Sequence, residues 1–348
     1  MMPEKFPNTR TESPAYLARY LNRKKSKADK KLEDNRDDSS WLSRAREKAD
    51  ARAKLETEID ESPPVRTEGY SRVTVSPREL IFPDSYRERM SGTTDVRLIR
   101  HGQTQGYGTN AGLTQLGKWQ AHRKGQNLAR GLKDGSKVVL INADTARAKE
   151  TAKGIQEGLV QGIARYKIEN INIIDPVPIM NFRNLQVWCD GEEKDPTSAF
   201  VKYDTTLEKY ERNKSGDRPG WLDEIDRFWK VQAGGGDPIT YWLNQPLQYF
   251  EPPAIVVRRF WRGILKTIKN NQDNTSLRIF VCTHSGAIRA VATSAVGHDP
   301  GEPHNLEDVR IRVFPGMKNA ILTYRGRGTE IEIPTINLPS WYNLKNKD

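Results

Sequence analysis

The chain is poor in the residues that make cross-links, metal cages and membrane spans. Its 348 residues contain two cysteines, Cys189 and Cys282. That excludes a disulfide framework or a zinc ribbon, and a reducing, cytoplasmic compartment is expected. No apolar run approaches the ~18 residues that would cross a bilayer, so no membrane partner is expected. The opening Met1–Met2–Pro3–Glu4–Lys5 lacks the apolar core of a secretory signal, and the acids of the following stretch do not suit a transit peptide. No internal repeat is visible. Large apolar groups are scarce over residues 1–60, which cannot build a core by themselves.

Cationic charge, by contrast, is in excess. Lys and Arg number 56 against 45 Asp and Glu, a formal net charge of +11. Such a balance favours anionic partners, and phosphorylated substrates and nucleic acid both qualify. Residues 1–68 form a charged arm with a basic block, Lys24–Lys25–Ser26–Lys27 and Lys30–Lys31, followed by Asp34, Asp37 and Asp38. Trp41 to Ile59 holds good helix formers of both charge signs. Two readings of the arm stand side by side: a mobile, partly helical or disordered tail, or a contact for a polyanion. Pro63–Pro64 punctuates it, and residues 69–93 read as a linker.

From Thr94 the pattern becomes alternating strands and helices. Val96 to Ile99 reads as a strand that Gly102 ends, leaving Arg100 and His101 at its carboxyl end. Thr114 is placed to cap a helix reaching about Leu132. Lys137 to Ile141 is a second strand, and Asp144 or Thr145 caps the helix that carries Arg147. Ile171 to Ile174 is a third strand, closed by Asp175–Pro176. Ala254 to Asn270 has helical apolar spacing, and Leu277 to Thr283 is a strand followed by His284–Ser285–Gly286. Ala287 to Val296 reads as a small-residue helix, with late strands at Ala320 to Tyr324 and Glu330 to Ile333. Residues 181–253 break the rhythm with four tryptophans and the Gly234–Gly235–Gly236 run, and read as an insertion over the sheet. The pattern predicts an α/β three-layer sandwich with a mostly parallel central sheet, an inserted lid region and the charged arm. The α/β domain would span residues 94–340.

His101 and His284 then occupy equivalent places, each just past a strand, where open α/β sheets bind ligands. Arg supplies a fixed fork of donors for phosphate oxygens, and a neutral imidazole nitrogen is a nucleophile near pH 7. Other groups carry competing readings. His298, Asp299, Glu302 and His304 can be read as a metal cluster, although they lie in a Pro/Gly loop without ligand spacing; no metal or cofactor is expected. His122 falls in a polar helix. Cys282 reads as a small strand residue, and Cys189 lies in a polar loop. The tryptophans of the insertion either pin a lid or stack on bases.

Four blocks occur in order: Arg100–His101–Gly102 with Thr104; Leu113–Thr114 with Gly117, Gln120 and Ala121; Arg147–Ala148 with Thr151–Ala152; and His284–Ser285–Gly286 after an apolar strand. Together they resemble the histidine phosphatase superfamily, the phosphoglycerate-mutase-like branch 1. Ser285 directly after the second histidine argues against the acid-phosphatase and phytase branch, which carries Asp there. The resemblance implies that His101 is the nucleophile that becomes phosphohistidine. It implies that Arg100, Arg147 and His284, with Thr104, bind the phosphate, and that His284 stabilises charge in the transition state. It implies a phosphatase acting on a phosphorylated small molecule or phosphoprotein.

One departure matters. The family carries a Glu in a Leu-x-Glu context after the third strand, and that Glu protonates the leaving group. Aligning Trp188 with the family's Trp puts Phe182 at the Glu position, and Phe carries no proton. Asp190, with Glu192 and Glu193 beside it, is the first candidate for a displaced acid. Ala143–Asp144 also replaces a small hydroxyl pair before Arg147. The missing Glu keeps a second reading open, in which the chain is a binding or scaffold module that retains the phosphate pocket and does little catalysis.

Overall fold

The computed structural model describes residues 90, 92–106, 110–213, 218–271 and 276–342. The charged arm and nearly all of the linker lie outside the described residues. Seven strands form one sheet in the order β3-β2-β6-β1-β7-β8-β9. The four strands β1 (Thr94–Arg100), β2 (Lys137–Asn142), β3 (Asn172–Pro178) and β6 (Leu277–Thr283) pair in parallel. The other three, β7 (Asp308–Val313), β8 (Asn319–Tyr324) and β9 (Arg327–Glu332), extend one edge as an antiparallel meander. The sheet is therefore α/β at its centre and antiparallel at one side. Strand β3 runs on through Pro176 past a register shift against β2, rather than closing at Asp175. Pro is tolerated there because β3 is an edge strand.

Both faces of the parallel strands are covered. Ile99, Leu140, Phe280 and Cys282 join one core cluster with α1 (Gln115–Ala129) and α2 (Ala146–Tyr166). The alternate residues Val96, Leu98, Ile141 and Val281 are equally buried, facing the opposite side. Helices α1 and α2 approach closely because glycines line their contact: a Cβ on Gly158 would overlap the His122 carbonyl oxygen. Thr114 caps α1 by accepting from Gly117 N at 2.9 Å, and Thr145 caps α2 by accepting from Ala148 N. Residues 181–253 hold the short hairpin β4–β5 (Val187–Cys189, Glu192–Lys194) and helices α3 (Pro196–Asn213), α4 (Gly220–Ala233) and α5 (Pro238–Asn244). Helix α6 (Pro253–Lys269) follows, and α7 begins at Ser285 and runs to Val296, packing on α6 and β1.

Buried ion pairs fix the insertion to the core. Arg259 on α6 and Glu251 are both fully buried and paired at 2.8 Å. Arg259 also donates to the carbonyls of Asn181, Arg183 and Asn184, and Tyr342 donates to Glu251. The tryptophans of the insertion serve packing: Trp242 Nε1 donates to Glu251 O at 2.8 Å, and Trp229 stacks edge-on against Phe200 and Phe228. Among the described residues, no helix is long and apolar enough to cross a membrane.

Candidate active site

Strands β1 and β6 are direct neighbours, with Ile99 beside Cys282 and Arg100 beside Thr283. The chain turns out of each strand at the same level, so His101 and His284 meet with ring centroids 5.2 Å apart, edge to face. The backbone holds them there: His101 N donates to Thr283 O at 2.9 Å, and Gly102 N to Thr151 Oγ1 at 3.0 Å. Asn305, which sequence reasoning passed over, donates from Nδ2 to His101 O at 3.0 Å.

Hydrogen bonding assigns the two rings different tautomers. His101 Nδ1 lies 2.9 Å from Gly102 O. A carbonyl only accepts, so Nδ1 carries the hydrogen and Nε2 keeps its lone pair. At His284 the order reverses. Arg147 Nε donates to Nδ1 at 3.4 Å, so the neutral ring bears its hydrogen on Nε2, beside Thr145 Oγ1. Burial, with added repulsion from Arg147 and Arg100, holds His101 down at about 3. His284 is driven well below its ordinary value by burial first, then by His101 and nearby arginines. Near pH 7 both rings are therefore neutral, His101 with a free lone pair at Nε2 and His284 with an N–H at Nε2.

Arg100, His101, Thr104, Arg147 and His284 line a single cavity of about 650 Å³. The insertion supplies part of its wall through Asn184, Pro196 and Asp237. Arg147 is buried, and burial pulls its guanidinium below its ordinary value while Asp195 opposes that. Arg100 pairs with Glu302 at 3.0 Å and donates to Pro303 O. Its Nε–H is buried without a partner. A buried unpaired donor is costly, and an anionic oxygen would satisfy it.

Asp190 is not brought to the others. It does not line the cavity; its carboxylate accepts from Trp221 Nε1 at 2.9 Å and pairs with Lys202 at 3.0 Å. The reason is the turn. Asp190 and Gly191 are the two residues joining β4 to β5, at φ 53° and 77°. This is the Asp-Gly two-residue hairpin turn, a signal present in the sequence and read there only as polar loop. Phe182 is fully buried and stacks edge-on against Phe260, centroids 5.3 Å apart. The loop after α7 is also not a metal cluster. Asp299 and Glu302 both bind Arg289, His298 Nδ1 faces Val296 O, and His304 N donates to Glu307. Among the described residues, no group of His, Cys, Asp or Glu is arranged to hold a metal. Cys189 and Cys282 are both buried, and burial pushes their thiols up, that of Cys189 to about 11.

A parallel-sheet edge with two neutral imidazoles and two guanidiniums in one cavity defines an anion-holding α/β site. Residues 96–169, about a fifth of the chain, match the model of the histidine phosphatase superfamily (branch 1); this stretch holds three of the four motif blocks, and the His284 block lies outside it. The match supports chemistry of phosphatase type in general. No curated protein matches the chain. Similar solved structures include a mycobacterial glucosyl-3-phosphoglycerate phosphatase, at 14% identity and TM-score 0.37, covering 65% of this chain and 92% of that one. A phosphoglycerate mutase from Bacillus anthracis is similar at 16% identity and TM-score 0.37, covering 72% and 96%. The fold and the chemistry rest on the strand order and the side chains, not on these likenesses.

Proposed function

We propose that this protein is a histidine phosphatase that hydrolyses a phosphomonoester or a phosphorylated protein side chain through a phosphohistidine at His101. The observation that carries the reading is the pair of facing histidines of opposite tautomer in a cavity shared with Arg100 and Arg147. His101 Nε2 attacks phosphorus, the ester P–O bond breaks, and the leaving oxygen takes a proton. Water then attacks phosphorus, the P–N bond breaks, and its electron pair returns to Nε2. Two guanidiniums and the His284 Nε2–H supply the positioning and charge stabilisation that phosphoryl transfer needs. Splitting the transfer over a covalent intermediate replaces one hard step by two easier ones.

Within this reading the α/β domain of residues 94–340 carries the activity, and the basic arm adds a polyanion contact. The buried Phe182 favours a second reading, a phosphate-pocket module of low turnover. An aryl phosphate separates the two, since its good leaving group scarcely needs an acid. Turnover of 4-nitrophenyl phosphate, with label trapped by alkaline quench on His101 and lost in His101→Ala, supports the enzyme. Binding without turnover supports the module, and label that persists in His101→Ala refutes the nucleophile.

A further inference from the structure

We infer that Glu302 is the proton-transfer group of this cavity, a role that rests on the phosphatase reading above. Phe182 occupies the place where the family resemblance puts an acid, and it is sealed in the core. Asp190 is held outside by its hairpin turn. Among the described residues that line the cavity, the carboxylates are Asp237 and Glu302. Asp237 is fully committed: Oδ1 accepts from Ile239 N and Thr240 N to cap α5, and Oδ2 takes Arg289 Nη1 at 2.7 Å.

Glu302 is held on both sides, but only one of its partners, Arg100, faces the phosphoryl site. Its Oε2 is anchored by Arg289 at 3.2 Å. Arg289 is fully buried and is itself fixed by Asp237, Asp299 and Thr240. Oε1 lies 3.0 Å from Arg100 Nη2, on the guanidinium next in sequence to the nucleophile. That guanidinium is one of the two proposed to grip the phosphoryl group. When a phosphoryl oxygen takes Nη2, Oε1 is released beside it while Oε2 stays anchored. A phosphomonoester that arrives with one proton on its phosphoryl group passes that proton to the freed Oε1.

Both halves of the reaction then balance. In the first, the ester oxygen leaves phosphorus as His101 Nε2 bonds to it, and the Glu302 carboxyl gives its proton to that oxygen. In the second, water attacks phosphorus, its proton passes to the Glu302 carboxylate, and the P–N electron pair returns to His101. The departing phosphate takes that proton with it and Oε1 pairs with Arg100 Nη2 again, so Glu302 ends as the carboxylate it began.

The test is leaving-group dependence in the full chain. A positioned acid speeds loss of a basic alkoxide by ~10²–10⁴ and matters little for a nitrophenolate. Glu302→Gln is expected to lower kcat/KM for an alkyl phosphate by about a hundredfold or more, and for 4-nitrophenyl phosphate by less than about threefold. Glu302→Asp, which keeps the carboxyl, should recover part of the alkyl rate. Equal change on both substrates overturns the role, as does a rise on both, which would make Glu302 only a competitor for Arg100. An alkyl-selective loss in Asp190→Asn but not in Glu302→Gln overturns it in favour of Asp190. Wild-type aryl turnover that disappears in His101→Ala upholds the phosphatase reading whatever Glu302 does. A wild type inert towards aryl phosphate overturns that reading, and this role with it.

Discussion

Lowering the pH from 8 to 5 is expected to destabilise the fold through the two cavity histidines. Folded His101 is held at about 3 against an ordinary 6.5, by burial first and by Arg147 and Arg100. Between those values the unfolded chain binds a proton at this position that the folded chain refuses. Stability is therefore full above 6.5, falls as the pH drops below it, and stops falling only below about 3. At pH 5 the unfolded imidazole lies 1.5 pH units on the protonated side of its midpoint, and each unit is worth about 1.4 kcal/mol, so His101 alone costs about 2 kcal/mol. His284 shifts in the same direction and adds to the loss. Asp237, Asp299 and Asp308 sit below the ordinary carboxylate range, so their protonation belongs to more acid solutions. Urea unfolding at pH 8, 6.5 and 5 measures the effect. The wild type should lose at least about 2 kcal/mol between pH 8 and 5, and His101→Asn about 2 kcal/mol less than the wild type. Equal pH slopes in the two proteins would refute the reasoning. The same shift predicts that wild-type aryl phosphate turnover shows no inflection near 6.5, because Nε2 keeps its lone pair.

Three further outcomes are expected. Arg259→Met leaves Glu251 buried without its cation and should cost about 3–5 kcal/mol in urea unfolding; a cost below about 1 kcal/mol would mean that Tyr342 alone satisfies that carboxylate. Gly158→Ala drives a methyl group into the His122 carbonyl of α1 and should lower stability by about 1–3 kcal/mol, outweighing the ~1 kcal/mol gain in helix propensity; an unchanged or raised melting temperature would show that α1 and α2 can separate without loss. A chain starting at Gly69 should melt and turn over a small aryl phosphate like the full chain, while the full chain's affinity for a polyanion should fall with salt if the Lys24–Lys31 block binds it; salt-independent affinity argues against that contact.

What the sequence disclosed follows from how local its signals are. Each strand-end histidine is marked by the apolar run before it and the glycine after it. Strand β6 was legible at both ends because a buried parallel strand reads as a near-continuous apolar run, here Ile279 to Cys282 between Arg278 and Thr283. Pairing of β1 with β6 was inferable, since parallel strands joined through helices bring their carboxyl ends to one edge. The cap Thr114 was legible from side-chain chemistry alone, whereas at α2 that chemistry left Asp144 and Thr145 as equals and the structure has Thr145. Strand β7 was missed although Asp308–Val313 alternates charged and apolar residues, with the apolar ones buried. Asp190 was misjudged for a related reason: acidity was weighed, but not the Asp-Gly pair that turns the chain.

Glu302 carried no such local mark. It lies in a loop rich in Pro and Gly, and nothing in that loop indicates a neighbour. Its position is set from elsewhere, by a guanidinium on α7 that gathers three carboxylates from two separate loops. Such a contact joins residues whose types are common and whose spacing is arbitrary, so no periodicity or motif announces it. A motif survives when backbone geometry dictates it, as at the two strand ends. A group placed only by tertiary charge pairing can move to another loop without altering any pattern. A proton-transfer group needs only to reach the leaving oxygen, so its place in the chain is less constrained than that of the nucleophile. An aromatic residue at one position and an anchored carboxylate more than a hundred residues later are therefore compatible with one reaction.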